Sequence, residues 1–297
     1  MGKRKLVLVF DNTMGIPHCD VDDGLAFLYL LGREEIEILG LVACFGNSST
    51  EQVYRNTEKL LEEIGRRDIP LFRGGERAGD YESEGAEALS FLAKKHEGEL
   101  EILATGCLTD LCAASERKKD FFCSLSSLTI MGGITEELIF RKKKMEELNL
   151  SVDYEASLRT LCSFPEAAVL TGNQCRKVIF PLKEFQERLS SSELGRYILK
   201  KSLHWFIDNE EIYGIPGFIN WDVTAAIYLA RPELFFDHRA SCRLCGEDLK
   251  HGFLRRTSPG ESGNAVLKLP EIREEGEFRE AFYSGISAFF SEKSVLD

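Results

Sequence analysis

Long apolar runs, basic blocks, low-complexity linkers and internal repeats are all missing from this chain of 297 residues. No hydrophobic stretch approaches the roughly 18 to 20 residues that cross a bilayer, which argues against a helical membrane span. Basic side chains are in deficit, 37 against 49 acidic for a net charge of -12, and the longest cationic block is Arg141-Lys142-Lys143-Lys144. A nucleic-acid groove needs clustered Lys and Arg to displace counterions, so no nucleic-acid partner is expected and the block reads as a solvated face or loop. The nine cysteines are an odd number scattered through the chain, which fits reduced thiols in a cytosolic core better than a disulfide framework. Cys242 and Cys245 form one C-x-x-C, but a structural zinc site needs four ligands and no second pair accompanies them. The start, Met1-Gly-Lys-Arg-Lys, passes into five apolar residues with no small-residue cleavage site behind them, so it predicts a first strand and a cytoplasmic protein.

What is present is an ordinary globular balance, 43% hydrophobic and 29% charged. A chain of this length removes about three quarters of its unfolded surface from water, enough for a sizeable core. Short apolar runs alternate with longer stretches of helical period, the pattern of an α/β protein with a mainly parallel central sheet flanked by helices. Leu6 to Phe10, Ile36 to Phe45, Leu100 to Ala104, Leu128 to Met131 and Ala168 to Leu170 read as buried strands. Helices are expected at Glu51 to Ile64, ended by Gly65, and at Glu84 to His96, Asp153 to Cys162 and Ser192 to Asn209. The last third predicts a helix at Asp222 to Ala230, strands at Arg239 to Cys245 and Ala265 to Leu269, and a closing helix from Glu277 to Phe290. With no composition shift to mark a boundary, residues 1–297 read as one domain with irregular additions. Ligands of such sheets sit beyond the carboxyl ends of the strands.

Directly after the first strand come Asp11-Asn-Thr-Met-Gly-Ile-Pro-His-Cys-Asp20-Val-Asp22-Asp23-Gly. Asp20, Asp22 and Asp23 could cap a helix whose apolar body is Leu25 to Leu31, since carboxylates favour a helix N-terminus. Three acids within four positions, with Asp11 near, also repel one another unless a cation or strong donors offset the charge, the mark of a hard-metal site. A third reading takes Asp11-Asn-Thr as the nucleophile strand of a magnesium phosphohydrolase, but Thr13 removes the second acid of its D-x-D pattern.

The segment from Val9 to Leu28 resembles the N-terminal signature of the inosine-uridine-preferring nucleoside hydrolase family, D-T-D-x-G-x-D-D. Later segments agree in order. Val42-Ala-Cys-Phe-Gly-Asn47 resembles the family's V-x-G-N strand end, Tyr54-Arg-Asn-Thr-Glu-Lys-Leu-Leu its next helix, and Asp68-Ile-Pro-Leu-Phe-Arg-Gly its D-I-P-V-x-x-G. Ile102-Leu-Ala-Thr105-Gly-Cys-Leu-Thr-Asp-Leu resembles I-L-A-T-G-P-L-T-N-L, and Ile130-Met-Gly-Gly133 the M-G-G turn. Glu147-Leu-Asn149 with Asp153-Tyr-Glu-Ala-Ser resembles E-F-N then D-P-E-A-A. Trp221-Asp222-Val-Thr-Ala-Ala-Ile-Tyr-Leu resembles H-D-x-x-A-x-x-Y-L.

The resemblance implies a Rossmann-like core with one calcium ion at the strand ends, held by Asp23, Asp222 and the backbone carbonyl of Thr105. Ribose contacts fall on Asp22, Asn47, Glu147 and Asn149. The implied reaction is calcium-dependent hydrolysis of the N-glycosidic bond of a ribonucleoside or related N-ribosyl compound, giving free base and ribose, in purine or pyrimidine salvage. A homo-oligomer is implied as well. The alternative is a member that binds ribosyl compounds without turnover.

That alternative arises from departures. The family's second aspartate, a metal ligand and the usual general base, aligns with Thr13, which has no useful basicity near neutral pH. Three extra residues lengthen the loop between Gly15 and Asp20, so Asp11, Asp20 or Asp22 could turn toward the attacking water. The family's leaving-group histidine is Trp221 here, and His18 in the longer loop is a candidate acid. A further ribose-contacting asparagine of the family falls on Arg141. Trp221, Tyr213 and Phe218 could stack on a base.

Overall fold

The computed structural model describes residues 2–258 and 260–293. Its core strands are β1 (Arg4–Phe10), β2 (Ile36–Ala43), β3 (Leu71–Arg73), β4 (Leu100–Ala104), β5 (Leu125–Met131) and β6 (Ala168–Leu170). Three more follow, β7 (Arg239–Arg243), β8 (Arg255–Arg256) and β9 (Ala265–Lys268). Together they make a nine-stranded sheet in the order β8-β7-β9-β6-β5-β4-β1-β2-β3. From β3 to β9 neighbouring strands are parallel, whereas β7 runs antiparallel to both β9 and β8.

β1 shows why the sheet is buried on both faces. Leu6 to Phe10 are all at most 1% exposed, a continuous apolar run in place of the alternation of a half-solvated strand. Leu6, Leu8 and Phe10 enter one apolar cluster and Val7 and Val9 enter the other, so the two cores lie on opposite sides of one strand.

The helices of eight residues or more are α1 (Asp22–Leu31), α2 (Thr50–Glu63), α3 (Glu84–Lys95), α4 (Thr109–Arg117), α5 (Tyr154–Ser163), α6 (Leu182–Leu189), α7 (Glu193–Asp208), α8 (Trp221–Ala230) and α9 (Glu275–Lys293). α2 starts where the Ser49 side chain accepts the Gln52 N–H and ends before Gly65, at φ 66°. α1 and α8 pack on each other, and α9 covers both. Every residue of α1 is buried, which explains its lack of a polar face. No described helix is long and apolar enough to cross a membrane.

Two expectations change in detail. The N-cap of α1 is Val21, with no side-chain cap bond, so the acids are not there as simple caps. The basic block is the turn of a small hairpin, Leu138–Ile139 against Lys144–Met145, with Arg141 exposed and paired to Glu210 at 2.7 Å.

One buried acid lies beside the strand ends without belonging to the cluster that follows β1. Asp110, in the first turn of α4, is 0% exposed; its Oδ1 accepts the Gly75 N–H (3.0 Å) and the Ser83 hydroxyl (2.5 Å), while Oδ2 has no partner. Burial pushes its pKa up from 3.8 to about 6. The folded state therefore holds this proton more tightly than the unfolded chain, and stability falls as pH rises from about 4 to about 6. Asp110→Asn keeps the Oδ1 acceptor and removes the charge. Thermal melts are expected to show this variant more stable than the parent above pH 6, by up to roughly 3 kcal/mol, with the difference vanishing near pH 4.

Candidate active site at the strand ends

The strand order 3-2-1-4-5-6 reverses at β1, and the crevice between β1 and β4 is the topological switch point of such a sheet. Register sets the site. Phe10 pairs with Ala43 and Val9 with Ala104, so the residues just after β1, β2 and β4 emerge side by side. Asp11 follows β1, Gly46 and Asn47 follow β2, and Thr105 follows β4. The N-termini of α1 and α8 add Asp22, Asp23, Trp221 and Asp222.

These groups interlock. Asp11 Oδ2 accepts the Asn47 N–H (2.5 Å), Asp22 Oδ2 accepts the Asp222 N–H (2.9 Å), and Asp23 Oδ1 accepts the Thr105 hydroxyl (2.7 Å). The Thr105 carbonyl accepts from Asn149 Nδ2 at 2.7 Å, which ties the β4 end to the loop after the hairpin. Glu147 is fixed from behind, its Oε1 taking the Gly133 and Leu150 N–H groups and its Oε2 that of Ser151. One lone pair of Oε2 is left for a ligand.

Electrostatically the site is under load. Asp11 is pushed up to about 6, and Asp20, Asp23 and Asp222 well above the usual carboxylate range, in each case first by burial. Neighbouring aspartates add to the rise at all four, and the N–H and O–H donors only partly oppose it at Asp11, Asp20 and Asp23. Burial also raises Glu147, against its backbone donors.

Three carboxylate oxygens, Asp11 Oδ1, Asp22 Oδ1 and Asp23 Oδ2, are sealed from solvent with no hydrogen-bond partner. Buried acceptors left unmatched are costly, and a set of hard oxygen donors around excess negative charge is the chemistry that suits a calcium-class cation. Among the described residues no three His, Cys, Asp or Glu side chains already converge as metal ligands. Asp23 Oδ1 is turned to the Thr105 hydroxyl instead, and one expected donor is a backbone carbonyl.

Above these acids lies a cavity of about 320 Å³, within the usual range for small-molecule sites. Asp20, Asp22, Asn47, Thr105, Glu147, Asn149 and Asp222 line its polar part, and Trp221, Tyr213 and Trp205 its aromatic wall. Phe140 backs that wall, 6.4 Å from Trp221 and 6.0 Å from Tyr213 between ring centres.

Three residues singled out from sequence lie elsewhere. Phe218 is fully buried among Phe180, Phe185 and Phe206, so it packs the core and cannot stack on a base. His18 does not line the cavity; its exposed ring turns outward and pairs with Asp208 at 3.1 Å. Arg141 is also absent from the lining. Sequence reasoning missed Trp205 and Met145, which line the cavity. Neither carries a motif, since one sits in the last turn of α7 and the other in a two-residue strand.

The model of the inosine-uridine preferring nucleoside hydrolases matches residues 8–269. Uridine nucleosidase 1 of Arabidopsis thaliana is 27% identical over 267 residues, covering 79% of this chain and 76% of that protein. A solved plant nucleoside hydrolase superposes with a TM-score of 0.81 at 21% identity, over 96% of this chain and 99% of its own. A purine-preferring ribonucleoside hydrolase from Gardnerella vaginalis does so with 0.81 at 18%, over 96% and 98%. At these identities the structural likeness shows the shared fold. The family match runs from β1 to the end of the central sheet and takes in every strand end that carries an acid, so the chain belongs to the inosine-uridine preferring nucleoside hydrolase family.

Proposed function

We propose that the chain hydrolyses ribonucleosides with the help of one calcium ion held by Asp23, Asp222 and the Thr105 carbonyl. N-glycosyl hydrolysis is the activity of the family to which it belongs. The observation that carries the metal reading is the set of sealed, unpartnered oxygens on Asp11, Asp22 and Asp23. When bound, such an ion supplies charge compensation, an acidified water and a grip on sugar hydroxyls.

The chain's own groups account for the rest. Asp22, Asn47, Glu147 and Asn149 line the cavity with acceptors and donors suited to the hydroxyls of a ribose. Glu147 is held by three N–H groups and Asn149 by the Thr105 carbonyl, so both are set in place before a sugar arrives. Departure of the base leaves positive charge on the sugar, and a wall of aspartates stabilises that state more than the neutral nucleoside. Trp221 and Tyr213 line the same cavity and offer flat apolar faces on which a base can stack.

Asp11 is placed by backbone alone. A Cβ on Gly46 would stand 2.0 Å from Asp11 Oδ2, so the β2 end can close on this carboxylate solely with glycine there. Gly46→Ala is expected to displace Asp11 and lower kcat/KM at least about tenfold, with a lower melting temperature because position 46 sits at φ 157°. Unchanged kinetics would remove Asp11 from the site.

The direct test uses purified protein, a panel of purine and pyrimidine ribonucleosides, and assays of free base and reducing ribose with and without calcium. Calcium-dependent release of both products is expected. Asp23→Asn and Asp222→Asn should each weaken calcium binding by calorimetry and lower kcat/KM by about 100-fold or more, with the fold retained. Nucleoside binding without product, at any calcium concentration, would make the chain a ribosyl-binding member of the family instead.

A further inference from the structure

We infer that Asp20 accepts the proton of the attacking water, in place of the acid missing at Thr13. This rests on the hydrolytic reading above. Thr13 is 1% exposed, and its hydroxyl donates to the Asp20 carbonyl at 2.9 Å. The side chain at the vacated position thus holds the longer loop in place and takes no part in proton transfer.

The loop itself is fastened at several points. The Ile16 N–H bonds the Thr13 carbonyl and the Cys19 N–H bonds the Ile16 carbonyl. From outside, α7 grips it twice, His204 Nε2 donating to the Cys19 carbonyl (3.1 Å) and His18 Nδ1 meeting Asp208 Oδ1 (3.1 Å). His18 has φ 62°, a left-handed conformation that a non-glycine residue holds only where its surroundings impose it. His18 is in this way a positioning residue, and the product of the clamp is the placement of Asp20 on the cavity wall.

Among the four acids that follow β1, oxygen availability separates Asp20 from the others. Asp11 and Asp23 each have one oxygen in a hydrogen bond and the other sealed, and Asp22 has Oδ2 on the Asp222 N–H and Oδ1 sealed. Asp20 gathers the N–H groups of Val21 (2.6 Å) and Asp22 (3.4 Å) on Oδ1. Its Oδ2 takes no N–H donor and is not among the sealed oxygens, on a side chain that lines the cavity and lies within hydrogen-bond reach of the Asp22 carboxylate. Asp222 also reaches the cavity, but it is one of the cation's donors. One oxygen of Asp20 is anchored and the other is open, as a base must be to meet a water molecule.

The step balances without a further reactant. The water oxygen bonds to the anomeric carbon as the carbon–nitrogen bond breaks and its electron pair leaves with the base. One water proton passes to Asp20 Oδ2 and later to solvent. The departing base takes a proton from solvent, so nucleoside and water give ribose and free base.

The test uses the full chain with its cation. Asp20→Asn keeps the Oδ1 acceptor for Val21, and Asp20→Ser provides a second variant with an oxygen able to cap the same N–H. Both are expected to lose about 10²- to 10⁴-fold in kcat, with KM and calcium affinity within a few-fold of the parent. Added formate should restore part of the kcat of either variant, and Thr13→Asp placed in the Asp20→Asn protein should restore it without formate. An inactive parent protein would defeat the hydrolytic reading itself. An active parent matched by Asp20→Asn or Asp20→Ser overturns the assignment of Asp20. So does loss of activity that neither formate nor Thr13→Asp repairs, since Asp20 would then be scaffold.

Discussion

Mutual repulsion among five aspartates, Asp11, Asp20, Asp22, Asp23 and Asp222, is the constraint around which this end of the molecule is organised. Burial first, and then neighbouring carboxylates, push Asp11, Asp20, Asp23 and Asp222 upward. The fold answers with backbone. The N–H groups of Asn47, Val21 and Asp222 each reach an aspartate oxygen, and the N-termini of α1 and α8 direct their positive ends to the same place. What this leaves unmatched, three sealed oxygens, is the charge that a divalent cation would offset.

Such a cluster can exist because the sheet beneath it is rigid. β1 is buried on both faces and hydrogen-bonded on both edges, to β2 and β4, so the peptide that carries Asp11 has little freedom. α1, buried throughout, and α8, buried from Trp221 to Leu229, pack against each other, and the Asp22–Asp222 bond joins their first turns across 200 residues of sequence. Apolar packing thus holds the acids together against their repulsion, and the aromatic wall of Trp221 and Tyr213 continues that packing up to the cavity.

Much of this was legible in the sequence, for identifiable reasons. Continuous apolar runs such as Leu6 to Phe10 mark strands covered on both faces, and they fell where expected. β3 was missed because three half-buried residues, Leu71 to Arg73, have no period to detect. α4 was missed because its buried face ends by Ala114 and its first residues, Thr109 to Leu111, were absorbed into the family motif that runs from Ile102. Strand order lies outside any periodicity, since it depends on which side each crossover takes. In the site, the acids after β1 announce themselves by crowding, whereas Asn47, Glu147 and Asn149 are single polar residues in loops and came from family resemblance alone. Phe218 takes the commoner role of such aromatics, since its ring turns inward onto Phe180, Phe185 and Phe206 and packs the core.

The two departures in the first motif, threonine at 13 and the longer loop to Asp20, are one change seen twice. An acid at position 13 would place its charge against the carbonyl of Asp20 and beside aspartates that already repel one another. A hydroxyl there donates to that carbonyl instead, and the donation fixes the loop that brings Asp20 to the cavity. Two backbone bonds, Ile16 N–H to the Thr13 carbonyl and Cys19 N–H to the Ile16 carbonyl, work with the Thr13 hydroxyl from inside the loop, and an outer clamp further reduces the entropy of holding its side chains still. His18 and His204 supply the clamp through α7, at the cost of a left-handed backbone at His18. Position 13 adds no further acid to those already facing the cavity, one open oxygen is retained on Asp20, and the strain sits on the outside of the loop, where the ring of His18 is exposed.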